Sequence, residues 1–265
     1  AAERLLTTKL AELNAGSYVA PSSLTVADWL KQWLNGTHRM RVTPKTLEAD
    51  AGWINGRIIP LLGHHRLEAL TGAAIEAAWA TLLATGRHDG KAGEGLSPKS
   101  VRNCHGLLRS ALNTAVRHGI IARNPCDLAD LPRAEQKEMR VLGAEQISRL
   151  LAATRGRRIF VPILLASTLG LRRGEILALR WSDVDFEACV LTVARATEQT
   201  AGNLRMKEPK SKRTRKVNMP SLLVEELRRH REQQGRVQGL VICHGDGSPI
   251  TPSAITQSSA SSCAA

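Results

Sequence analysis

The chain has 265 residues, 43% of them hydrophobic, enough for two modest domains with cores of their own and with no overall signature of disorder. Its 37 lysines and arginines against 24 aspartates and glutamates give a formal charge of +13, so a polyanionic partner is expected, nucleic acid first. No apolar run approaches membrane-spanning length and no basic amphipathic helix carries an aromatic face, which argues against a membrane partner.

Aromatic residues make up only 3% of the chain, which disfavours serial base stacking on single strands and favours contact with duplex phosphates. The five cysteines are odd in number and form no Cys-x-x-Cys pair, so neither a zinc site nor a disulfide framework is expected. They read as reduced thiols in a cytoplasm, and neither a metal nor a cofactor is expected. The opening stretch is charged and helical in pattern rather than continuously apolar, unlike a signal peptide.

In chain order, residues 1–23 read as a short helix to Gly16 and a linker containing Pro21; beginning mid-helix and without methionine, the chain looks like a fragment. Four helical patterns follow, at Thr25 to Asn35, Pro44 to Leu61, Thr71 to Ala84 and Pro98 to His118. Capping residues or prolines introduce them, as at Thr43-Pro44 and Ser97-Pro98, and glycines close several, as at Gly36, Gly86 and Gly119. This makes a compact helical domain over 24–131, with Trp29, Leu30, Trp33 and Leu34 as one core stripe and Leu107, Leu108, Leu112, Ala115 and Val116 as another. Lys45, Lys99, Arg102 and Arg109 lie on helix starts and polar faces, where helix N-termini with added cations suit phosphate oxygens.

From residue 121 periodicity is lost through 140, with two prolines and clustered charge, and the connection proper is expected at 132–140. A second domain over 141–254 opens with a helix from Gly143-Ala144 to Ala153. After an apolar helix from Ile159 to Ser167 comes Thr168 to Asp183, TLGLRRGEILALRWSD. Here Arg172, Glu175, Ile176 and Leu179 are spaced i, i+3, i+4, i+7 and share a helical face. A guanidinium on a core-facing side needs a partner, and Glu175 is expected to be it. Three strands of one small antiparallel sheet are predicted at Ala188 to Thr197, Leu204 to Ser211 and Thr214 to Met219. The cationic run Lys207, Lys210, Lys212, Arg213, Arg215 and Lys216, opposed only by Glu208, is the strongest local phosphate-binding signal. A helix from Ser221 to Gln234, a strand-like Leu240 to Cys243 and a turn at Gly245-Asp246-Gly247 follow. The final stretch, with a tail over 255–265, is small-residue and poor in core formers.

Gly170-Leu171-Arg172-Arg173-Gly174-Glu175, continued by ILALRWSDVD, resembles the first active-site arginine segment of the tyrosine recombinases, the phage-integrase family. The resemblance extends over nearly the whole chain. Leu24 to Leu30, Ser97-Pro98-Lys99-Ser100-Val101 and Arg123-Asn124-Pro125 are similar to segments of that family's core-binding, SAM-like domain. The fold it implies is mainly α, a four-helix core-binding domain followed by an incomplete α+β catalytic domain. It gives Arg172 the place of the first catalytic arginine, Glu175 that of its supporting acid, and Lys210 in Glu-Pro-Lys-Ser-Lys that of the hairpin lysine. Lys45, Lys99, Arg102, Arg109, Lys207, Lys212 and Arg213 are then the expected DNA contacts. The family cleaves a DNA phosphodiester with a tyrosine nucleophile and no metal, so cations stabilise the non-bridging oxygens and the lysine protonates the leaving 5′-oxygen.

The His-x-x-Arg box and the nucleophilic tyrosine that the family carries after the hairpin lysine are not found in this sequence. The single tyrosine is Tyr18, and His38 to Arg41 spells His-x-x-Arg by coincidence, after the first helix of the binding domain. A Ser/Ala ending is what a frameshift or premature truncation would leave, and loss of later helices is expected to uncover Ile163, Leu164 and Ile176. The expected function is therefore double-stranded DNA binding of the recombinase type, with other protomers on the DNA, no small-molecule substrate and no cleavage by this chain alone. A non-catalytic regulator that occupies attachment sites is the alternative, and a basic ribosome-associated protein leaves the coincidence of Arg172, Glu175 and Lys210 unexplained.

Overall fold

The computed structural model describes residues 23–87, 94–135, 138–139, 141–201, 203–207 and 214–256. The chain divides into two units, Ala1–Glu138 and Met139–Ala265.

The first unit is helical: α1 (Val26–Trp33), α2 (Pro44–Trp53), α3 (Ile59–Leu62), α4 (Gly72–Thr85) and α5 (Pro98–Arg117). Their starts are set by local chemistry. The hydroxyls of Thr43, Thr71 and Ser97 accept from Thr46 N, Ala74 N and Ser100 N at 3.3, 3.2 and 3.2 Å, satisfying amides that have no partner inside the helix. The first two helices continue into wider π turns, Leu34–His38 and Ile54–Ile58, so Gly36 does not stop the first helix as expected.

Both expected apolar stripes face inward: Trp29, Leu30, Trp33, Leu108, Leu112 and Ala115 are at most 4% exposed. An indole N–H in a core must find an acceptor. Three do, all on α5: Trp29 Nε1 donates to Ala111 O at 3.0 Å, Trp33 Nε1 to Thr114 Oγ1 at 3.2 Å, and Trp79 Nε1 to His105 Nδ1 at 3.3 Å. Burial holds His105 below the usual histidine range, in the neutral form able to accept. It also pushes the thiols of Cys104 and Cys126 up to about 11 and about 12.

Residues 121–131 are not the loose connection that their lost periodicity suggests. Ile121, Asn124 and Cys126 are at most 5% exposed, and a 3₁₀ turn, Pro125–Leu128, is seated on the bundle. Asn124 provides the periodicity-free anchor: its Nδ2 donates to Arg109 O (3.1 Å) and Asn113 Oδ1 (2.7 Å), and its Oδ1 accepts from Cys126 N (3.0 Å).

The second unit carries α6 (Ala144–Thr154), α7 (Phe160–Leu169), α8 (Arg173–Ala178), β1 (Val184–Asp185), β2 (Val190–Val193), β3 (Ala196–Thr200), β4 (Asn203–Lys207), β5 (Arg215–Asn218) and α9 (Ser221–Gln234). The single three-stranded sheet expected from the sequence is two sheets. Strand β2 lies between β1 and β5, all antiparallel, while β3 and β4 form a separate hairpin with Ala196 opposite Lys207. The expected strand Ala188 to Thr197 breaks at Ala194-Arg195, where Arg195 pairs with Asp183. Leu240 to Cys243 forms isolated bridges, Arg180 to Leu240 and Cys243 to Pro249, rather than a strand.

Leu164, Leu165, Leu191, Leu223, Leu227 and Val241 centre the core, none more than 2% exposed. Two of the three residues expected to be uncovered are buried, Leu164 at 2% and Ile176 at 4% exposure. Half-buried Ile163 lines an apolar groove of about 200 Å³ with Ile159, Pro162 and Ile255. Residues 252–256 form a helical turn on which Ala254 and Ile255 pack against the core, so core contacts reach Ile255, the first residue of the expected tail. The first helix expected near residues 1–16, and Gly86 to Leu96 in part, lie outside the described residues.

Helix α8 approaches β3 closely. A Cβ on Gly174 would lie 2.7 Å from the carbonyl oxygen of Thr197, a contact neither backbone can relieve by a side-chain rotation. Alanine in a helix is otherwise favoured over glycine by about 1 kcal/mol. Gly174→Ala is therefore expected to reverse that sign and lower the stability of the second unit by roughly 1–3 kcal/mol, as overpacking does. Denaturant unfolding followed at Trp181 checks it, and a stabilised variant would mean the helix and hairpin can separate freely.

Candidate functional site

Thr168 to Asp183 folds as the sequence implies, up to the glycine. Gly170 ends α7 at φ 62°, a left-handed conformation that L side chains avoid, and the chain turns through Leu171 into α8. Arg172 is the residue that caps α8, in extended conformation, and Glu175 is the third residue of the helix. The carboxylate reaches back so that Arg172 N donates to Glu175 Oε2 at 2.9 Å.

The polar member of this face that is buried is the acid rather than the arginine. Side-chain exposure is 2% for Glu175 and 66% for Arg172. Arg172 Nη1 donates to Glu175 Oε1 at 3.2 Å, the pairing expected from their spacing. The stronger partner comes from the far side of the hairpin: Arg215, first residue of β5, donates from Nη1 to Oε1 at 3.0 Å and from Nη2 to Oε2 at 2.7 Å. Such a two-pronged guanidinium–carboxylate pair is the strong geometry for this interaction. Arg215 belongs to the cationic run read from the sequence, but nothing local in that run marks it as an ion-pair partner. The usable signal is its place at the start of a strand whose next residues alternate.

The surroundings set the charge. Hydrogen bonding from Arg215 outweighs the opposing effect of burial and, with the Arg172 backbone and side chain, holds the Glu175 carboxyl down to about 2. The same bonds push Arg215 up. The outcome is a fixed negative charge between two guanidiniums, one of which, Arg172, is mostly in solvent. Arg172 is thus able to offer its outer N–H donors to an anion while its inner one is held.

The other expected site residues are dispersed over the two units. Lys210, Lys212 and Arg213 lie outside the described residues; Lys207 ends β4, and its side chain also lies outside them. Lys45 and Lys99 are exposed in the first turns of α2 and α5 and, among the described residues, carry no ion pair. Arg102 is exposed and donates to Pro132 O at 3.3 Å, whereas Arg109 is paired with Asp127 at 2.7 Å. A residue not picked out by pattern joins this group. Arg57 lines a recess of about 420 Å³ with Trp53, Arg87, Ser97 and Ser100, its Nε buried without a hydrogen-bond partner among the described residues. Its i+4 spacing from Trp53, over whose ring it sits at 5.6 Å, is the one signal that could have found it.

His38 of the coincidental His-x-x-Arg is structural. Its ring stacks on Trp33 with centroids 4.1 Å apart, and its Nε2 meets Asp50 Oδ2 at 2.7 Å. Among the described residues no group of three or more His, Cys, Asp or Glu could hold a metal ion, and no helix is long and apolar enough to cross a membrane.

The depressed Glu175 titration has a stability consequence. A carboxyl near 2 when folded and near 4.5 otherwise contributes stability that is present above pH 4.5 and lost as pH falls toward 2, on the order of 3 kcal/mol in all. Glu175→Gln is expected to destabilise the second unit by roughly 3–5 kcal/mol at neutral pH, since it leaves two guanidiniums without their counter-charge. It should also flatten the pH dependence between 2 and 5. Thermal unfolding across that range tests both, and an acid limb of unchanged slope would place the titrating group elsewhere.

Comparison with known proteins covers both units. The description "Phage integrase family" matches residues 140–263, and "Phage integrase, N-terminal SAM-like domain" matches residues 25–82. A tyrosine recombinase XerC-like protein of Caldanaerobacter subterraneus is 34% identical over 157 residues, 53% of this chain and 40% of that protein. The integrase of Mycobacterium phage L5 is 25% identical over 246 residues, 90% of this chain and 62% of its own length. The chain therefore spans less than two thirds of these curated relatives. Among solved structures, the Tn1549 transposon integrase in complex with a circular intermediate DNA superposes with a TM-score of 0.71 at 21% identity, over 86% of this chain and 74% of that one. A lambda integrase tetramer bound to a Holliday junction gives a TM-score of 0.68 at 18% identity, over 95% and 68%. These two share the fold: a helical SAM-like unit and a mainly helical catalytic-type unit with small antiparallel sheets. With one family description on each unit and relatives named as integrases and tyrosine recombinases, the chain belongs to the phage integrase, or tyrosine recombinase, family.

Proposed function

We propose that this chain binds double-stranded DNA as the core-binding and partial catalytic regions of a site-specific recombinase, and that by itself it does not cut the strand. The observation that carries the reading is the Arg172–Glu175–Arg215 cluster, where a buried carboxylate holds an exposed arginine, the residue to which the sequence resemblance gives the place of the family's first active-site arginine. The net charge of +13 and the exposed Lys45 and Lys99 at helix starts supply the sequence-independent attraction to phosphates. The solved relatives with the same fold are DNA complexes by their descriptions.

In this reading Arg172 donates to a non-bridging oxygen of the phosphodiester, and Lys210 protonates the leaving oxygen. Stabilising charge that develops on the phosphate is the task of preplaced cations, and their fixed geometry avoids reorganisation during the step. The step lacks its attacking group here. After Lys210 the chain has neither a tyrosine nor a His-x-x-Arg, and Tyr18 lies before the whole helical unit in sequence. Binding without covalent capture is what remains.

Two experiments check this. A nicked suicide duplex incubated with the 265-residue chain is expected to give no covalent adduct; a phosphotyrosine-linked band overturns the proposed inactivity. Duplex affinity measured against salt should fall steeply, by roughly 0.9 in log K per log salt for each neutralised phosphate. Lys45→Ala and Lys99→Ala should each lower that slope by about one such contact, while Arg109→Ala, its guanidinium committed to Asp127, should lower it less. A slope near zero for the unaltered chain would end the duplex-binding reading.

A further inference from the structure

Glu175 uses its full capacity as an acceptor. Oε1 receives Arg172 Nη1 at 3.2 Å and Arg215 Nη1 at 3.0 Å; Oε2 receives Arg172 N at 2.9 Å and Arg215 Nη2 at 2.7 Å. A carboxylate has about four lone-pair sites in its plane. With two taken by one planar fork, its rotation is fixed and the remaining two point to defined places. Those places hold the amide and one side-chain nitrogen of Arg172.

We propose that Arg215 is a positioning residue, locking Glu175 so that Glu175 in turn presents the exposed guanidinium of Arg172 to a DNA phosphodiester oxygen. The proposal rests on the reading of Arg172 as a phosphate ligand. Arg215 spends one N–H of each terminal nitrogen on Glu175, and in this proposal it acts on the phosphate through Arg172. Arg215 opens β5 opposite Val193, so the start of that strand is tied through Glu175 to the helix that carries Arg172.

A purely structural role, stapling β5 to α8, predicts loss of stability alone. Positioning predicts loss of order at Arg172 in a unit that stays folded. The ¹⁵Nε–¹Hε signal of Arg172, assigned by its disappearance in Arg172→Lys, reports this in the full chain. In the unaltered chain the signal should have the relaxation of an ordered side chain and should shift when a short duplex is added. Arg215→Gln should bring its order close to that of free surface arginines and reduce the duplex-induced shift at least threefold, with the amide spectrum of the second unit retained. Arg215→Lys keeps the charge but has one point of attachment instead of a fork, so recovery should be partial.

Wild-type order and wild-type shift at Arg172 in Arg215→Gln would overturn the proposal. If that variant does not fold, Arg215→Lys decides it, and an unaltered Arg172 signal there overturns the proposal equally. An Arg172 signal in the unaltered chain that ignores duplex, while its order still depends on Arg215, would sink the phosphate reading and leave the positioning intact.

Discussion

A carboxylate removed from water must be compensated, and much of the second unit's local design follows from that requirement at Glu175. Left alone, a buried carboxyl would take up a proton and become neutral. Two guanidiniums prevent this, and they come from opposite sides: Arg172 from the start of α8, Arg215 from the start of β5. The pair with Arg215 is two-pronged, which is why the acid remains charged despite 2% exposure. Each neighbouring feature serves the meeting. Gly170 reverses the chain so that Arg172 caps the helix, and Gly174 lets that helix lie against the carbonyl of Thr197. A charge network made this way is a weak source of net stability, because desolvation offsets much of the attraction. What it supplies is a defined place for an exposed cation.

The first unit solves a comparable problem with neutral groups. Three tryptophans give it much of its buried surface, yet each brings an N–H that cannot be left without an acceptor. All three acceptors are on α5, one a backbone carbonyl, one a hydroxyl and one a ring nitrogen. The longest of the described helices is thus both the wall against which α1 and α4 pack and the element that fixes the rotation of their largest side chains. Its outer face is left to cations, among which Lys99 is open to solvent and Arg109 is held by Asp127.

Much of this organisation is legible in the sequence because it is local. Helix starts depend on a hydroxyl and an amide three residues apart, so Thr43, Thr71 and Ser97 mark them by identity alone. The apolar stripes of α1 and α5 and the span of α9 are read from periodicity in the same way. What is not legible depends on distant partners. Residues 121–131 have no period because Asn124, rather than an apolar face, fastens them to α5. The strand expected through Thr197 alternates well on either side of residues 194–195, and only the pairing of Arg195 with Asp183 shows that it turns from one sheet to another there. The candidate site divides along the same line. Arg172 and Glu175 are three residues apart and their pairing is visible, but the assignment of the buried role to the arginine is reversed in the fold, and Arg215 is found only through tertiary contact, 40 residues from its partner.

The Trp79–His105 bond carries one more implication. His105 can accept from the indole only while Nδ1 is bare, and burial already disfavours its protonation. A histidine held neutral in the fold, against an ordinary value of 6.5, makes the folded state the poorer proton binder, so its contribution is whole above that value and erodes as the solution becomes acid below it. The stability contributed by the Glu175 charge begins to fall only in a lower range, below about 4.5. Acid thus first reaches the two units at different points of the scale, at the Trp79–His105 bond before the Glu175 anchor.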